Sequence, residues 1–149
     1  MGKRENKRFR GHKRYALYIG RWQPFHNGHK FIIDKAIKEG KDVCIAIRDT
    51  EISDKNPYNV EQRIEMIWRA YGDKVKTIVM PDIESVNIGR KVGYDVIRYD
   101  VPKTIKKISA TNIRKGKDDS LPPGVGEYLK TLNTTLWLTG LPCAGKSTL

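Results

Sequence analysis

Three histidines occur in the 149 residues, and two of them, His26 and His29, stand three apart around Gly28 in the stretch "QPFHNGH". Two imidazoles flanking a glycine at a helix start can point at one anion. As hydrogen-bond donors they would stabilise charge that builds on a phosphate during transfer. Gly28 has no side chain, so a phosphate could approach the backbone there. The N–H groups and partial positive charge of a helix N-terminus would add to the attraction. Zinc fits less well, because helical metal-binding pairs usually sit four apart and no Cys, Asp or Glu cluster lies nearby. No protein-held metal is expected. The plain alternative is two surface histidines beside a turn.

Placing that pair requires a strand before it and a helix after it. "YALYIG", Tyr15 to Gly20, reads as a buried strand. "GHKFIIDKAIKEG", Gly28 to Gly40, has helical spacing, with Ile32 and Ala36, then Ile33 and Ile37, four apart. "DVCIAI", Asp42 to Ile47, reads as a second strand. Asn59 with Gln62 forms the capping-box pattern of a second helix, along which Val60, Ile64, Ile67 and Tyr71 make one apolar stripe ended by Gly72. "VKTIVM", Val75 to Met80, predicts a third strand, and "YDVIRYD", Tyr94 to Asp100, a fourth. "SATNIRK" and "GVGEYLKTL" predict short helices, and "TTLWLTG", Thr134 to Gly140, a late strand. Strand–helix–strand alternation predicts an α/β fold, a Rossmann-like parallel sheet with helices on both faces. Ligands of such sheets bind beyond the carboxyl ends of the strands, where the loop from Arg21 to His29 lies.

The composition narrows the partners. A net charge of +12 and an isoelectric point near 9.8 favour anions: nucleotides, phosphate esters or nucleic acid. Residues 1–14 hold seven Lys/Arg against one Glu and read as a disordered basic tail, either a solubility tail or a weak nucleic-acid contact. Cys44 and Cys143 sit far apart and make neither a disulfide framework nor a zinc site, so a reducing, cytoplasmic setting is expected. No apolar run approaches a membrane span. A homo-oligomer is expected.

The wording around the histidines narrows the chemistry. "GRWQPFHNGH" resembles the signature of the HxGH nucleotidyltransferases. Its G-R-[FW]-Q-P-F-H form resembles nicotinamide-nucleotide adenylyltransferases, whereas the related cytidylyltransferases more often carry G-T-F-D there. "ISATNIR", Ile108 to Arg114, resembles the superfamily's second motif, and "NPYNVEQRIEMI" its N-P-[FY]-x-x-x-[EQ]-R stretch. The likeness spans about residues 15 to 130. It implies transfer of AMP from MgATP to a phosphate-bearing acceptor such as nicotinamide mononucleotide, with release of pyrophosphate, as in NAD biosynthesis. His26, His29 and Arg114 would be catalytic. Gly20, Arg21, Phe25, Gly28, Ser109, Thr111 and Arg114 would hold the nucleotide. The attacking phosphate is already an anion, so such an enzyme needs positioning and charge neutralisation more than a base. The sequence departs from the family at Trp22, at Ala110 and in the compact stretch "PDIESVNIGRKVGYD", where Glu84, Asn87 and Arg90 are candidates to contact an acceptor. A cytidylyltransferase acting on a small phosphate ester is the alternative.

A second phosphate motif follows. "GLPCAGKS" fits the P-loop pattern through Gly140, Gly145, Lys146 and Ser147, and with "WLTG" before it resembles the opening of adenylyl-sulfate kinase. The expected organisation is a basic tail (1–14), a nucleotidyltransferase domain (15–130) and a truncated, vestigial kinase start (134–149). Such a kinase fragment would be inactive here.

Overall fold

The computed structural model describes residues 13–90 and 93–139, with side chains to residue 132. Three parallel strands lie in the order β1-β2-β3: β1 (Tyr15–Gly20), β2 (Asp42–Asp49) and β3 (Val75–Pro81). α1 (Asn27–Lys38) links β1 to β2, and α2 (Val60–Tyr71), with a single 3-10 turn at Gly72–Lys74, links β2 to β3. Short helices α3 (Lys103–Lys106) and α4 (Ala110–Arg114) follow, then α5 (Pro123–Thr139). This is the Rossmann-like parallel sheet flanked by helices that the alternation predicts.

Registers show how the sheet presents its faces. Tyr18 aligns with Ile45, and Ala16 with Val43, so these residues share one face. Against that face pack Ile33 and Ala36 of α1, Ile64, Ile67 and Tyr71 of α2, and Val125 and Leu129 of α5. β2 is the central strand, and its run Val43–Ile47 is buried throughout, Cys44 included, as a strand flanked on both edges should be. Leu17 and Ile19, on the other face of edge strand β1, are exposed.

The helix signals hold in detail. Asn59 Oδ1 accepts from Gln62 N at 2.8 Å and Gln62 Oε1 accepts from Asn59 N at 2.9 Å, the reciprocal box its spacing predicts, worth about 1 kcal/mol. Gly40 takes φ +79 just past α1, a conformation glycine adopts without a Cβ penalty.

Two strand expectations fail. Residues 94–100 form no ladder. Tyr94, Val96 and Ile97 stay exposed, and Tyr99 turns its hydroxyl to Tyr18 (2.7 Å) instead of lining a sheet edge. Residues 134–139 belong to α5. A six-residue apolar run does not by itself distinguish strand from helix, and here it continues a helix begun at Pro123. A P-loop follows a strand, so the kinase expectation loses its context; Gly140, Gly145, Lys146 and Ser147 lie outside the described residues. Lys13 pairs with Asp42 at 3.6 Å, and Arg14 donates to Gly93 O at 2.7 Å. Residues 1–12 lie outside the described residues.

Candidate functional site

The histidine pair sits where β1 runs into α1. His26 is the N-cap of α1, and its Nδ1 accepts from Gly28 N at 3.0 Å. His29, at the third helical position, returns the bond, its Nδ1 accepting from His26 N at 3.2 Å. The two form a capping box made of imidazoles. A ring nitrogen that accepts carries no proton, so each neutral ring holds its proton on Nε2. The rings stack, with centroids 3.7 Å apart and planes 15° apart. His26 is buried, which pushes its pKa down to about 4, with Asp118 pulling weakly the other way. Burial, and then the neighbouring His26, holds His29 well below the ordinary range. At neutral pH the pair is two uncharged Nε2–H donors, the form suited to meeting an anion without competing for a proton.

The start of the helix is engaged within the protein itself. The N–H groups of Asn27, Gly28 and Lys30 are spent on Ser120 O, His26 Nδ1 and His26 O. The space above Gly28 is filled by the His26 ring, since a Cβ there would lie 2.8 Å from Cε1. The absence of a Cβ at Gly28 thus makes room for the His26 imidazole. Phe25 is fully buried against Trp22, His29 and Tyr71, so its side chain backs His29. Gly20 accommodates the Trp22 indole, which a Cβ would approach to 2.9 Å.

The loop between strand and helix is held from outside. Trp22 takes φ 56, a left-handed conformation that strains a bulky residue. Its Nε1 donates to Ala46 O at 3.0 Å. The Gln23 amide donates to Tyr58 O and accepts from Tyr58 N, both at 2.9 Å. Arg114 Nη1 donates to Gln23 O at 2.7 Å, bringing the second motif to the first across 91 positions. Ser109 caps α4, its Oγ accepting from Asn112 N at 3.1 Å, and Thr111 is exposed. Arg21 is exposed and reaches Asn56 Oδ1 at 3.2 Å. Of the residues the sequence nominated, His26, His29 and Arg114 meet at one loop, with Arg21 at its rim.

Glu84, Asn87 and Arg90 do not converge there. All three are exposed, and Asn87 bonds Ser85 at 2.9 Å. Arg90 instead lines an open cavity of about 500 Å³ with Arg14, Tyr94 and Asp95. A second cavity, of about 420 Å³, opens beside the ends of β2 and β3, lined by Asp49, Thr50, Asn59 and Glu61. Three residues that fix the loop lie inside the motifs quoted above, yet sequence reasoning assigned them no role: Gln23, Tyr58 and the fully buried Arg63, whose Nη1 donates to Arg21 O and Arg48 O. Two signals pointed to Arg63: it closes the N-P-[FY]-x-x-x-[EQ]-R stretch, and it stands three after Val60 and four before Ile67, on the apolar stripe of α2.

The same residues carry a family likeness. A family model described as cytidylyltransferase-like matches residues 17–141. The chain belongs to this family. It is 42% identical over 71 residues to the nicotinamide-nucleotide adenylyltransferase of Methanocorpusculum labreanum, covering 46% of this chain and 42% of that protein. To the enzyme of that name from Methanolobus tindarius it is 40% identical over 111 residues, covering 67% and 64%. A bifunctional NMN adenylyltransferase/ADP ribose pyrophosphatase from Francisella tularensis, solved with AMP and a manganese ion, is 33% identical over 45% of this chain and 22% of that one, at a TM-score of 0.38, too partial to carry an argument. The chain spans under half the length of its Methanocorpusculum relative. Cytidylyltransferase-like and adenylyltransferase likenesses lend no support to a fused kinase domain. Among the described residues of this family member, no three His, Cys, Asp or Glu side chains are grouped to hold a metal. No helix among them is long and apolar enough to cross a membrane.

Proposed function

We propose that this chain transfers the adenylyl group of MgATP to a phosphate-bearing acceptor such as nicotinamide mononucleotide, with release of pyrophosphate. The observation that carries the reading is the stacked, neutral His26–His29 pair with both Nδ1 atoms occupied by backbone N–H groups. An acceptor phosphate oxygen attacks the α-phosphorus, and the bond to the bridging oxygen of pyrophosphate breaks. Charge grows on the non-bridging α-oxygens and on the leaving group. Two fixed Nε2–H donors meet that charge without reorganising. Arg114 and Arg21 flank the loop and supply positive charge. Each proposed step moves no proton through the protein, which fits imidazoles held below their ordinary pKa. Magnesium enters as part of the substrate, on the triphosphate oxygens, which suit a hard cation; the imidazole pair, with Nε2 protonated, does not offer it ligands.

The adenylyltransferase names of the relatives support ATP as the donor. The family description supports a second reading, cytidylyl transfer to a small phosphate ester. Pyrophosphate release from ATP or CTP, each at low concentration and with nicotinamide mononucleotide or simple phosphate esters as acceptor, separates the two. A higher specificity constant for ATP is expected. Preference for CTP would select the second reading, and no release with any pair would sink both.

A further inference from the structure

Arg63 is 0% exposed. Its guanidinium meets carbonyl oxygens rather than a carboxylate: Nη1 to Arg21 O at 2.8 Å and Arg48 O at 2.7 Å, and Nε to Asn59 O at 3.2 Å. Nη2 has no acceptor among the described residues. Asp49 and Glu61 act on it only through their charge. Burying a cation without an ion-pair partner works against stability. What this cation accomplishes is geometric. It joins the residue that leaves β1 to the end of β2, and ties both to the start of α2.

Arg21, whose carbonyl Arg63 holds, directly precedes Trp22, the residue in the left-handed conformation. The strained turn leads within four residues to His26. A one-residue error in that turn would rotate both rings of the capping box. We propose that Arg63 is a positioning residue, whose buried fork fixes the turn at Arg21–Trp22 and so sets where the two histidine Nε2–H donors stand. The inference rests on the transfer reaction proposed above for its kinetic consequence, but not for its structural one.

Full-length Arg63→Lys and Arg63→Met, with folding checked by circular dichroism and thermal melts, test it on two readouts. Long-range ¹H–¹⁵N correlation of the imidazoles reports the tautomers. The parent is expected to show a single Nε2–H form for His26 and for His29, and both variants a mixture. In the pyrophosphate assay kcat is expected to fall about 30-fold or more while KM for ATP stays within about threefold, the pattern of a group that acts on transition-state geometry. The lysine variant should do no better than about twofold over methionine, because an ammonium set at the Arg21 and Arg48 carbonyls, which Nη1 alone bridges, would lose the Nε bond to Asn59 O that ties them to α2. Folded variants with parental tautomers and parental kcat would overturn the proposal. Failure of both variants to fold would also overturn it, making Arg63 a residue of stability alone. If the parent itself releases no pyrophosphate, the proposed reaction fails, and the imidazole spectra still decide the role of Arg63.

Discussion

Lowering the pH should weaken this fold through His26 before the carboxylates respond. An unfolded histidine titrates near 6.5, whereas in the fold His26 is pushed down to about 4. Between those values the unfolded chain takes up a proton that the native chain refuses, so stability is full above pH 6.5 and declines toward pH 4. A gap of about 2.5 pH units corresponds to about 3 kcal/mol, of which about 2.5 kcal/mol is lost by pH 4.5. Protonation of Nδ1 would also turn the acceptor of Gly28 N into a donor, opening the cap. His26→Asn supplies the control, because asparagine caps a helix well and does not titrate. Urea unfolding at pH 7 and pH 4.5 gives the two stabilities of each protein. The parent should lose about 2.5 kcal/mol more than His26→Asn over that interval. Asp82, held low by Arg48, contributes below this window in both proteins, while Asp118, held low chiefly by Ser120, and His29, held low chiefly by burial, each also feel the His26 charge that the variant removes. Equal losses in parent and variant would refute the claim that His26 is buried as a neutral acceptor.

Three further outcomes are expected. His29→Ala should lower kcat by about 100-fold, the typical effect of deleting one donor to a developing anion, while the ATP dissociation constant moves only a few-fold; parental turnover would remove His29 from the proposed chemistry. Gly20→Ala places a Cβ 2.9 Å from the Trp22 indole and should cost about 1–3 kcal/mol in a thermal or denaturant melt, with an unchanged melting temperature showing that the indole yields freely. Deleting residues 140–149 should leave pyrophosphate release intact, because His26, His29 and Arg114 all precede them; a folded but inactive truncation would bring those residues into the working site.

Local signals proved the most readable in the sequence. The Asn59–Gln62 box, the Gly40 stop and the apolar stripe of α2 depend on neighbours within one or two turns, and each is found where its spacing puts it. The histidine pair was legible as a pair, but its capping role was not, because imidazole is an unusual N-cap and nothing in H-x-G-H distinguishes an accepting Nδ1 from a free one. The segment 94–100 has the composition of a strand without a partner to pair with, and pairing is a tertiary fact. Arg114 reads as a phosphate ligand by motif, yet one of its nitrogens is committed to Gln23 O, a contact between residues 91 positions apart that periodicity does not encode. Arg63 shows the same limit from the other side: a charged residue on an apolar stripe is visible, but the carbonyls it serves are not.

The buried thiol of Cys44 has a use of its own. It lies in the middle of the central strand, 3% exposed, and burial raises its pKa. Alkylation requires an accessible thiolate, so a reagent must wait for β2 to part from a neighbouring strand. In a Cys143→Ser background the rate of modification at Cys44 becomes a clock for sheet opening, read in native buffer without denaturant. Ligands that bind the closed sheet should slow that clock in proportion to their occupancy, which turns a residue with no part in the proposed chemistry into a gauge of what the protein binds.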